Sequence, residues 1–394
     1  MRVFVINKHG EALMPCKPRK AKILLREGKA SVAKRNPFTI QLKYGSTGYK
    51  QDLTLGVDTG HSEVGISVIS ETKEVFSAVA KMRNDISDKI ATRKMYRRQK
   101  RNKLRYRAPR FLNRSASTRK GRLAPSVQWK VDAHIKLINQ LKSLLPITKL
   151  VLETGTFDMA KMNNPDITNE QYQQGVQYGF ENVKAYVLAR DGYKCQCKKS
   201  GCSEQLHVHH IVFKSQGGSD APSNLITLCK KHHDALHKGK ITFKKVKYNS
   251  LKSATTMNVI RARLLDFFPD AIETFGYITK ANRYNHGIEK SHSNDAFVIA
   301  GGSTQLRESE LNISFKRKNN RSLQKNRNGF APSIRKQRYG IQPQDIIEWN
   351  GVKCIAKGMQ NKGTYLAFMK GSKRLVKNIK TIKLVFQNKG IIYA

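Results

Sequence analysis

Four of the six cysteines lie within 35 residues of one another, beside several histidines. The pairs Cys197-x4-Cys202 and Cys229-x2-His232 offer four soft or borderline ligands, which is the pattern of a structural zinc site. Cys195 is an alternative to Cys197, because a Cys-x-Cys pair rarely chelates one ion through both sulfurs. Ordinary buried thiols are the other interpretation, and the pairing with His232 argues against it. We therefore expect Cys197, Cys202, Cys229 and His232 to hold one Zn²⁺ ion.

A second set of histidines is interleaved with these cysteines. His209 and His210 end a β-like run, Asn224 stands in a loop, and His233 opens a helix. A hairpin, loop and helix in this order can place two imidazoles on one hard cation and leave a third imidazole free as a base. The segment is therefore a candidate metal-dependent hydrolytic site.

The order of these residues resembles the HNH (ββα-metal) nuclease family, in its variety with a zinc knuckle. The spacing, the pair Gly217-Gly218 and the run SNLITLC all agree with that family over about 45 residues. The resemblance implies that His210 is the general base that activates water. It also implies that His209 and His233 hold one Mg²⁺. Asn224 would orient the loop of the base or contact the metal. His207 and His237 are expected to have structural or surface roles.

Carboxylates follow two apolar runs that are far apart in the chain. Asp58 follows LTLGV and Glu153 follows KLVL, so each stands at the end of a predicted buried strand. That placement is costly unless a metal or a partner satisfies the charge, although a turn or a cap is the alternative for either residue alone. His292 and Asp295 share one face of a predicted helix. Three carboxylates and a histidine on one sheet would bind two Mg²⁺ ions, the arrangement for phosphodiester cleavage.

The charge of the chain indicates a polyanionic partner. Its 394 residues include 74 Lys and Arg against 28 Asp and Glu, a net charge of +46. Nucleic acid supplies the matching charge through its phosphates. An anionic membrane is the competing partner, but no stretch approaches the roughly 20 apolar residues of a spanning helix. The N-terminus also lacks the apolar core of a signal peptide, so we expect a cytoplasmic protein.

Residues 89–122 contain no acidic residue, and arginine outnumbers lysine there. Arginine suits phosphate recognition, because its planar guanidinium donates two parallel hydrogen bonds. A solvated basic helix or a disordered tail is the alternative, and the interior position argues against a tail. The candidate nucleic-acid-binding residues are Arg93, Arg97, Arg98, Arg101, Arg105, Arg107, Arg110 and Arg114.

The order of these features resembles a RuvC-like (RNase H-fold) nuclease that is interrupted by an HNH domain. With the arginine-rich segment after the first RuvC piece, the chain is similar to the IscB family of transposon-encoded RNA-guided nucleases, which are relatives of the CRISPR type II effector. The N-terminal run ALMPCKPRKAKILLREGKASV is similar to the PLMP domain of that family, with Ala12 where the motif begins with Pro. The resemblance covers residues 1–310 well, and the remainder only in composition and position.

The resemblance implies a multidomain α/β fold: an RNase H-like (RuvC) mixed sheet with an inserted ββα-metal HNH domain, a small N-terminal PLMP module, an arginine-rich bridge helix and a C-terminal β-rich domain. The expected boundaries are 1–50 for the PLMP domain, 51–88 for RuvC-I, 89–122 for the bridge helix, 123–160 for RuvC-II, 161–180 for a linker, 181–240 for the HNH domain, 241–310 for RuvC-III and 311–394 for the C-terminal domain.

The function that the resemblance implies is RNA-guided cleavage of double-stranded DNA. The HNH site would cut the strand paired to the guide, and a RuvC site of Asp58, Glu153, His292 and Asp295 would cut the displaced strand. The implied cofactors are two Mg²⁺ at the RuvC site, one Mg²⁺ at the HNH site and a structural Zn²⁺. The implied partners are a structured guide RNA (omega RNA) and target DNA, in a monomeric, nucleoid-associated prokaryotic ribonucleoprotein. Two alternatives stay open: an RNA-independent HNH homing or restriction endonuclease, and a non-cleaving nucleic-acid-binding protein.

Overall fold

The structure is a computed structural model of the chain. It describes residues 2–45, 48, 50–102, 121–158, 161–162, 177–197, 200–213, 220–241, 251–315, 339–387 and 390–393, with the backbone alone at 96 and 98–102. The chain divides into two compact units, the first formed by Met1–Thr156 with Thr256–Ala394 and the second by Phe157–Thr255. The second unit therefore interrupts the first in sequence.

The N-terminal part of the first unit is a small sheet with one helix. Its elements are β1 (Val3–Ile6), β2 (Ala12–Cys16), α1 (Pro18–Arg26), β3 (Ala30–Arg35) and β4 (Phe38–Leu42). The strand order is β2-β1-β4-β3, with β1 parallel to β4. Pro18 suits the first turn of α1, where a backbone N–H has no helical partner. A separate small core closes this module, and it includes Val3, Leu13 and Ile40.

The next part of the chain forms four strands and two helices. They are β5 (Leu53–Asp58), β6 (Glu63–Ile69), β7 (Glu74–Lys81), α2 (Ile86–Asn102), α3 (Pro125–Lys142) and β8 (Ile147–Thr154). Strands β5, β6 and β7 form an antiparallel meander, and β8 runs parallel to β5. Strands β5, β6 and β7 are buried almost throughout, and β8 is buried over residues 150–152, which explains their near-continuous apolar sequences.

The second unit contains a β-hairpin between two helices. Its elements are α4 (Val183–Arg190), β9 (Leu206–His210), β10 (Leu225–Cys229) and α5 (Lys230–His237). Strands β9 and β10 are antiparallel, and a 3-10 turn at Pro222–Asn224 leads into β10. The side chain of Asn182 caps α4 by accepting a hydrogen bond from the backbone N–H of Ala185. The hairpin followed by a helix is the local fold that the sequence predicted.

After the second unit the chain returns to the first. It forms α6 (Lys252–Phe267), β11 (Ile272–Phe275), α7 (Gly276–Asn285), α8 (His292–Ile299) and β12 (Glu310–Phe315). A five-stranded antiparallel sheet follows, with strands β13 (Ile346–Trp349), β14 (Val352–Gln360), β15 (Tyr365–Lys370), β16 (Lys373–Asn378) and β17 (Lys383–Phe386) in the order β16-β15-β14-β13-β17. The last strand is β18 (Ile391–Tyr393).

The central sheet of the first unit has the strand order β11-β8-β5-β6-β7-β12-β18. Strand β11 is parallel to β8, β12 is parallel to β7, and β18 is antiparallel to β12. The main hydrophobic core packs on this sheet and includes residues of α3 and α6. Two strands from the predicted C-terminal domain, β12 and β18, thus belong to the central sheet, because their apolar residues Ile313 and Ile391 complete its core.

Two glycines let helix α8 lie directly on the central sheet. A Cβ atom at Gly56 would lie 2.3 Å from the carbonyl oxygen of Ala296, and one at Gly65 would lie 1.8 Å from that of His292. Any larger residue would push the helix away from β5 and β6. The glycines therefore set the height of α8 above the strand that carries Asp58.

Among the described residues, no helix combines the length and the apolar character that a membrane span requires.

Candidate metal centres and nuclease sites

Three thiols and one imidazole converge in the second unit. The ligand atoms of Cys195, Cys202, Cys229 and His232 all lie within 4.8 Å of one another. The Nδ1 atom of His232 lies 3.2 Å from the sulfur of Cys229, 3.5 Å from that of Cys195 and 3.7 Å from that of Cys202. Strand β10 ends at Cys229, and the first turn of α5 brings His232 beside it. This set of four donors can hold a structural zinc ion.

The structure places Cys195 rather than Cys197 in the cluster, which is the alternative that the sequence left open. Cys197 is buried outside the cluster, and Cys195 occupies the position that the sequence assigned to it. The backbone N–H of Gln196 donates a 2.9 Å hydrogen bond to the carbonyl of Thr227 in β10. That bond holds the segment against the strand, where the sulfur of Cys195 lies beside His232.

The thiol of Cys229 favours the form that binds metals. Burial alone would raise its pKa, but hydrogen bonds from the backbone N–H groups of His232 and Ser203 lower the pKa to about 6. A thiolate, rather than a thiol, is the ligand for zinc. The start of α5 therefore prepares this cysteine for a metal.

A second group consists of three histidines whose ring nitrogens also lie within 4.8 Å of one another. His209 comes from β9, and His233 and His237 stand four residues apart on α5, so both face the hairpin. The ring centroids are 5.0 Å apart for His209 and His233, 5.0 Å for His209 and His237, and 4.6 Å for His233 and His237. His237, for which the sequence predicted a structural or surface role, completes the group. The spacing of four residues on a helix was the signal that could have identified it.

The environment of His209 suits a metal ligand. Its Nε2 atom is buried and has no hydrogen-bond partner among the described residues. Burial, and then the neighbouring histidines, lower its pKa to about 4, so the imidazole is neutral at physiological pH. A buried neutral nitrogen without a partner is costly, and a divalent cation would satisfy it. The three imidazoles therefore fit one divalent ion.

His210 points to the other face of β9 and has a different partner. Its Nε2 atom lies 2.8 Å from the carboxylate of Asp220. Since an ionised carboxylate can only accept, this contact places the imidazole proton on Nε2 and leaves Nδ1 free to accept a proton. A carboxylate that fixes the tautomer of a histidine base is a recurring catalytic arrangement. The sequence did not identify Asp220.

Asn224 holds the loop that follows His210. Its side-chain oxygen accepts a 2.9 Å hydrogen bond from the backbone N–H of Val212, and its amide donates a 3.0 Å bond to the Val212 carbonyl. The Asn224 carbonyl also accepts from the N–H of Ile211. Asn224 is thus bonded to the backbone beside His210, which is one of the two roles predicted for it.

A cavity of about 590 Å³ lies beside His210. Its lining includes Asn182, Lys184, His207 and Asp220. Lys184 is exposed in the first turn of α4. A cation and a candidate base on one cavity can accommodate a phosphodiester.

The predicted carboxylate site is assembled at one end of the central sheet. Asp58 is the last residue of β5 and Glu153 is the penultimate residue of the neighbouring parallel strand β8, and the two are paired in register. The Nδ1 atom of His292 lies 2.6 Å from the carboxylate of Asp58. Asp295 is on the same helix α8 and contributes to raising the pKa of Glu153. The structure therefore brings together all four residues from three distant segments.

Burial and the neighbouring charges shift the pKa values of the side chains at this site. Burial, followed by the charges of Asp58 and Asp295, raises the pKa of Glu153 to about 7. Burial and Asp58 also raise the pKa of Asp295. The hydrogen bond with Asp58 raises the pKa of His292. One oxygen of Glu153 is buried without a partner among the described residues, so the site is suited to cations that would neutralise it.

An arginine that the sequence did not identify also belongs to this site. Arg283 is buried on α7, and its Nε atom lies 3.1 Å from the carboxylate of Asp295. Among the described residues, two groups of three or more possible metal ligands have their ligand atoms within 4.8 Å of one another, and both groups are in the second unit. The residues of the acidic site are not among them. The carboxylates of Asp58 and Asp295 are instead engaged by His292 and Arg283.

The predicted nucleic-acid-binding arginines are only partly described. Arg93 and Arg97 are exposed on α2, which begins at Ile86. Arg98 and Arg101 lie in the same helix, and their side chains are outside the described set. The remaining four lie outside the described residues: Arg105, Arg107, Arg110 and Arg114.

Comparison with known proteins identifies two domains. Residues 3–175 match the family described as RRXRR protein, and residues 194–239 match the HNH endonuclease family. No curated protein matches the chain. Among solved structures, the Type IV phosphorothioation-dependent restriction endonuclease ScoMcrA is similar over 32% of this chain and 30% of its own length, with 20% identity and a TM-score of 0.14.

The HNH match contains the three clustered histidines, His209, His233 and His237, and also His210. The prediction of an HNH nuclease module is therefore confirmed. The chain therefore carries an RRXRR domain and an HNH endonuclease domain.

Proposed function

We propose that this protein is an RNA-guided endonuclease of the IscB type that cuts both strands of DNA with two separate sites. The observation that carries the proposal is the composition of the acidic site. Asp58 and Glu153 precede the HNH domain in the chain, and His292 and Asp295 follow it, yet the four residues meet at one end of one sheet. A second nuclease site that is interrupted by the HNH domain explains this arrangement.

The topology of the central sheet supports an RNase H-like (RuvC) fold for the second site. Strands β5, β6 and β7 form an antiparallel meander, and β8 and β11 are added in parallel beside β5. Parallel strands present their carboxyl ends at one edge, which is where ligand sites form in α/β sheets. Asp58 and Glu153 are at that edge.

At the HNH site, the proposed base is His210. Its Nδ1 atom would accept the proton of the attacking water, and Asp220 would stabilise the imidazolium that results. His209, His233 and His237 would hold one divalent metal ion. A set of imidazole nitrogens favours a transition-metal ion over the predicted Mg²⁺, which prefers oxygen ligands. When bound, that ion would stabilise the negative charge on the phosphate and on the leaving oxygen. Asn224 would keep the loop of the base in position through its bonds with Val212.

At the acidic site, Asp58, Glu153 and Asp295 would hold two Mg²⁺ ions together with His292. The raised pKa of Glu153 and its unpartnered oxygen are the properties of carboxylates that lack their counter-charge. Two ions in such a site stabilise the attacking and the leaving oxygens of an in-line displacement. The two sites share no residue, so they could cut independently.

The charge of the protein supports a guide RNA as partner. A net charge of +46 requires a large polyanion, and the RRXRR match includes the arginine-rich segment. A protein of this kind recognises a heteroduplex by its backbone and shape, and base pairing reads the sequence. The Cys₃His cluster would hold Zn²⁺ as a structural ion, and the C-terminal sheet would read a motif beside the target. The active form would be a monomeric ribonucleoprotein in the prokaryotic cytoplasm.

The test is cleavage of DNA labelled on each strand by protein purified with the RNA of its own locus. Asp58→Ala should leave a nick in the guide-paired strand, and His210→Ala should leave a nick in the displaced strand. Loss of both cuts in either variant would contradict two independent sites. If ribonuclease-treated protein still cuts one DNA sequence, the protein is instead an RNA-independent homing or restriction endonuclease.

A further inference from the structure

Helix α7 exposes large aromatic side chains next to the acidic site. Tyr277 is 72% exposed and Tyr284 is 66% exposed, and Ile278 between them is also exposed. Clusters of exposed apolar surface on a soluble protein usually mark a place where a ligand binds. This face of α7 is therefore a candidate binding surface.

The opposite face of α7 is attached to the acidic site. The residues of this helix that are buried are the polar Thr279 and Arg283. Arg283 contacts the carboxylate of Asp295 at 3.1 Å. At the start of the helix, a Cβ on Gly276 would lie 3.3 Å from a carboxylate oxygen of Glu153. Both ends of α7 therefore border the acidic residues, so a ligand on its outer face would lie close to them.

The outer face forms a regular stripe. Tyr277, Lys280, Ala281 and Tyr284 follow the i, i+3, i+4, i+7 spacing that places residues on one side of a helix. At a rise of about 1.5 Å per residue, the two tyrosines are separated by roughly 10 Å along the axis. This distance corresponds to roughly three nucleotide steps of a stacked strand.

The rings of this stripe are held in place and have cationic neighbours. Tyr277 is stacked on Phe275, with ring centroids 6.1 Å apart and an angle of 5° between the planes. The Lys280 ammonium lies 5.8 Å, and the Arg283 guanidinium 5.2 Å, from the centre of the Tyr284 ring. Helix α7 contains no acidic residue. Aromatic rings interleaved with cations are the surface on which single-stranded nucleic acids stack.

We propose that Tyr277 and Tyr284 form a stacking platform for a single DNA strand that is delivered to the acidic site. This inference rests on the proposed function, because the displaced strand is the single strand that such a site would cut. The charge of the stripe matches the phosphates, and the rings match the bases. A DNA strand on this platform would pass Glu153 near the start of α7 and Asp295 near its end.

The direct test is photocrosslinking to full-length protein that carries Asp58→Ala and His210→Ala, so that the probe stays intact. The probes are a thymidine oligonucleotide of about 12 residues with one 5-iododeoxyuridine, and the RNA of the same sequence with 5-iodouridine. We expect the DNA probe to crosslink to the peptide that contains residues 272–285. The crosslink should disappear in Tyr277→Ala/Tyr284→Ala. Crosslinks only at other peptides, or only with the RNA probe, would overturn the inference.

Fluorescence anisotropy with the same DNA gives the energetic test. Each aromatic side chain stacks on one base, so removal of both tyrosines should weaken binding at least tenfold. Tyr277→Phe/Tyr284→Phe should bind as the parent does, because the rings remain. Tyr178→Ala is the matched control, since this tyrosine is 67% exposed but lies in the second unit. Unchanged affinity in the double alanine variant would refute the platform.

The failure of this inference is distinguishable from failure of the proposed function. The stacking platform is tested by crosslinking and by DNA affinity in protein that does not cleave DNA. The two-site mechanism is tested by measuring which labelled strand the Asp58→Ala variant leaves uncut. A crosslink on α7 in a protein whose Asp58→Ala variant still cuts both strands would retain the platform and reject the second nuclease site.

Discussion

Substitution of Gly65 by alanine should inactivate the acidic site without touching any of its side chains. Gly65 lies in β6, where helix α8 crosses the sheet, and a Cβ atom there would lie 1.8 Å from the carbonyl oxygen of His292. Real Cβ atoms are essentially never closer than 3.0 Å to such a neighbour. The helix or the strand must therefore move by about 1.2 Å, a distance worked from these two contacts.

A movement of this size is large on the scale of the site. It shifts the residue that bonds Asp58, and the hydrogen bond between His292 and Asp58 is only 2.6 Å long. A misplacement of about 1 Å can reduce a rate about 10²-fold. Overpacking should also lower the free energy of unfolding by about 1–3 kcal/mol. The HNH site belongs to the other compact unit, so its rate should stay within about twofold of wild type.

The assay measures single-turnover cleavage of each labelled strand, together with the thermal unfolding midpoint. Gly340→Ala is the matched control, because nothing lies within 4 Å of a Cβ there and the backbone is not left-handed. We expect Gly65→Ala to nick the guide-paired strand alone and Gly340→Ala to cut both strands. Equal rates and equal midpoints in the two variants would refute the assignment of α8 to the second site.

Three further predictions concern the zinc cluster, the proposed base and the pH dependence of stability. Cys195→Ser should reduce bound zinc well below one ion per chain, whereas Cys197→Ser should retain it, as measured by elemental analysis. Asp220→Ala should slow cleavage of the guide-paired strand about 10–100-fold, the usual loss when the partner of a functional histidine is removed, because it leaves His210 without its 2.8 Å contact. Burial lowers the pKa of His134 to about 4, so wild type should lose up to about 3 kcal/mol of unfolding free energy between pH 6.5 and 4, and His134→Gln should lose less, by urea titration.

Stability should decrease as pH falls, because His134 has a lower pKa in the folded protein than in the unfolded chain. The folded pKa is depressed, so the unfolded chain binds the extra proton first as pH falls, and stability is lost from the unfolded pKa down to the folded one. The charged groups that act on this imidazole are Lys130, which lowers its pKa, and Asp58, which raises it. Parallel pH profiles for wild type and His134→Gln would contradict the assignment. For the other two predictions, contrary results are zinc loss in Cys197→Ser alone and a normal rate in Asp220→Ala.

Much of the fold could be predicted because its signals are local. The apolar runs LTLGV, VGISVIS and KLVLET form β5, β6 and β8, and their burial on both faces accounts for their continuous hydrophobic character. The apolar residues of VQWKVDAHIKLINQLK recur at helical spacing and this segment forms most of α3, and SHSNDAFVIA contains α8. The hairpin and helix of the HNH domain were also predictable, because ligand spacing restricts the backbone that can bring the ligands together.

Strand β7 contains a buried glutamate whose partners cannot be read from the sequence of the strand itself. All residues of EVFSAVAK except Lys81 are buried, including Glu74 and Ser77. Glu74 accepts hydrogen bonds from Ser67 at 2.6 Å and from Arg307 at 2.8 Å. Arg307 is more than 200 residues away in the chain, so its contribution could not be read from local pattern.

The sequence by itself determined the chemical types and the spacing of the ligands, and hence a candidate zinc cluster, an HNH nuclease module and an acidic site. Those properties depend on positions that are close in the chain or on residue type alone. The tertiary structure decided which individual atoms meet: Cys195 instead of Cys197, His237 as the third imidazole, and Arg283 on the carboxylate of Asp295. Each of those choices depends on how a strand or helix is held against a distant element, and distances of a few ångströms between such elements are set by packing across the fold.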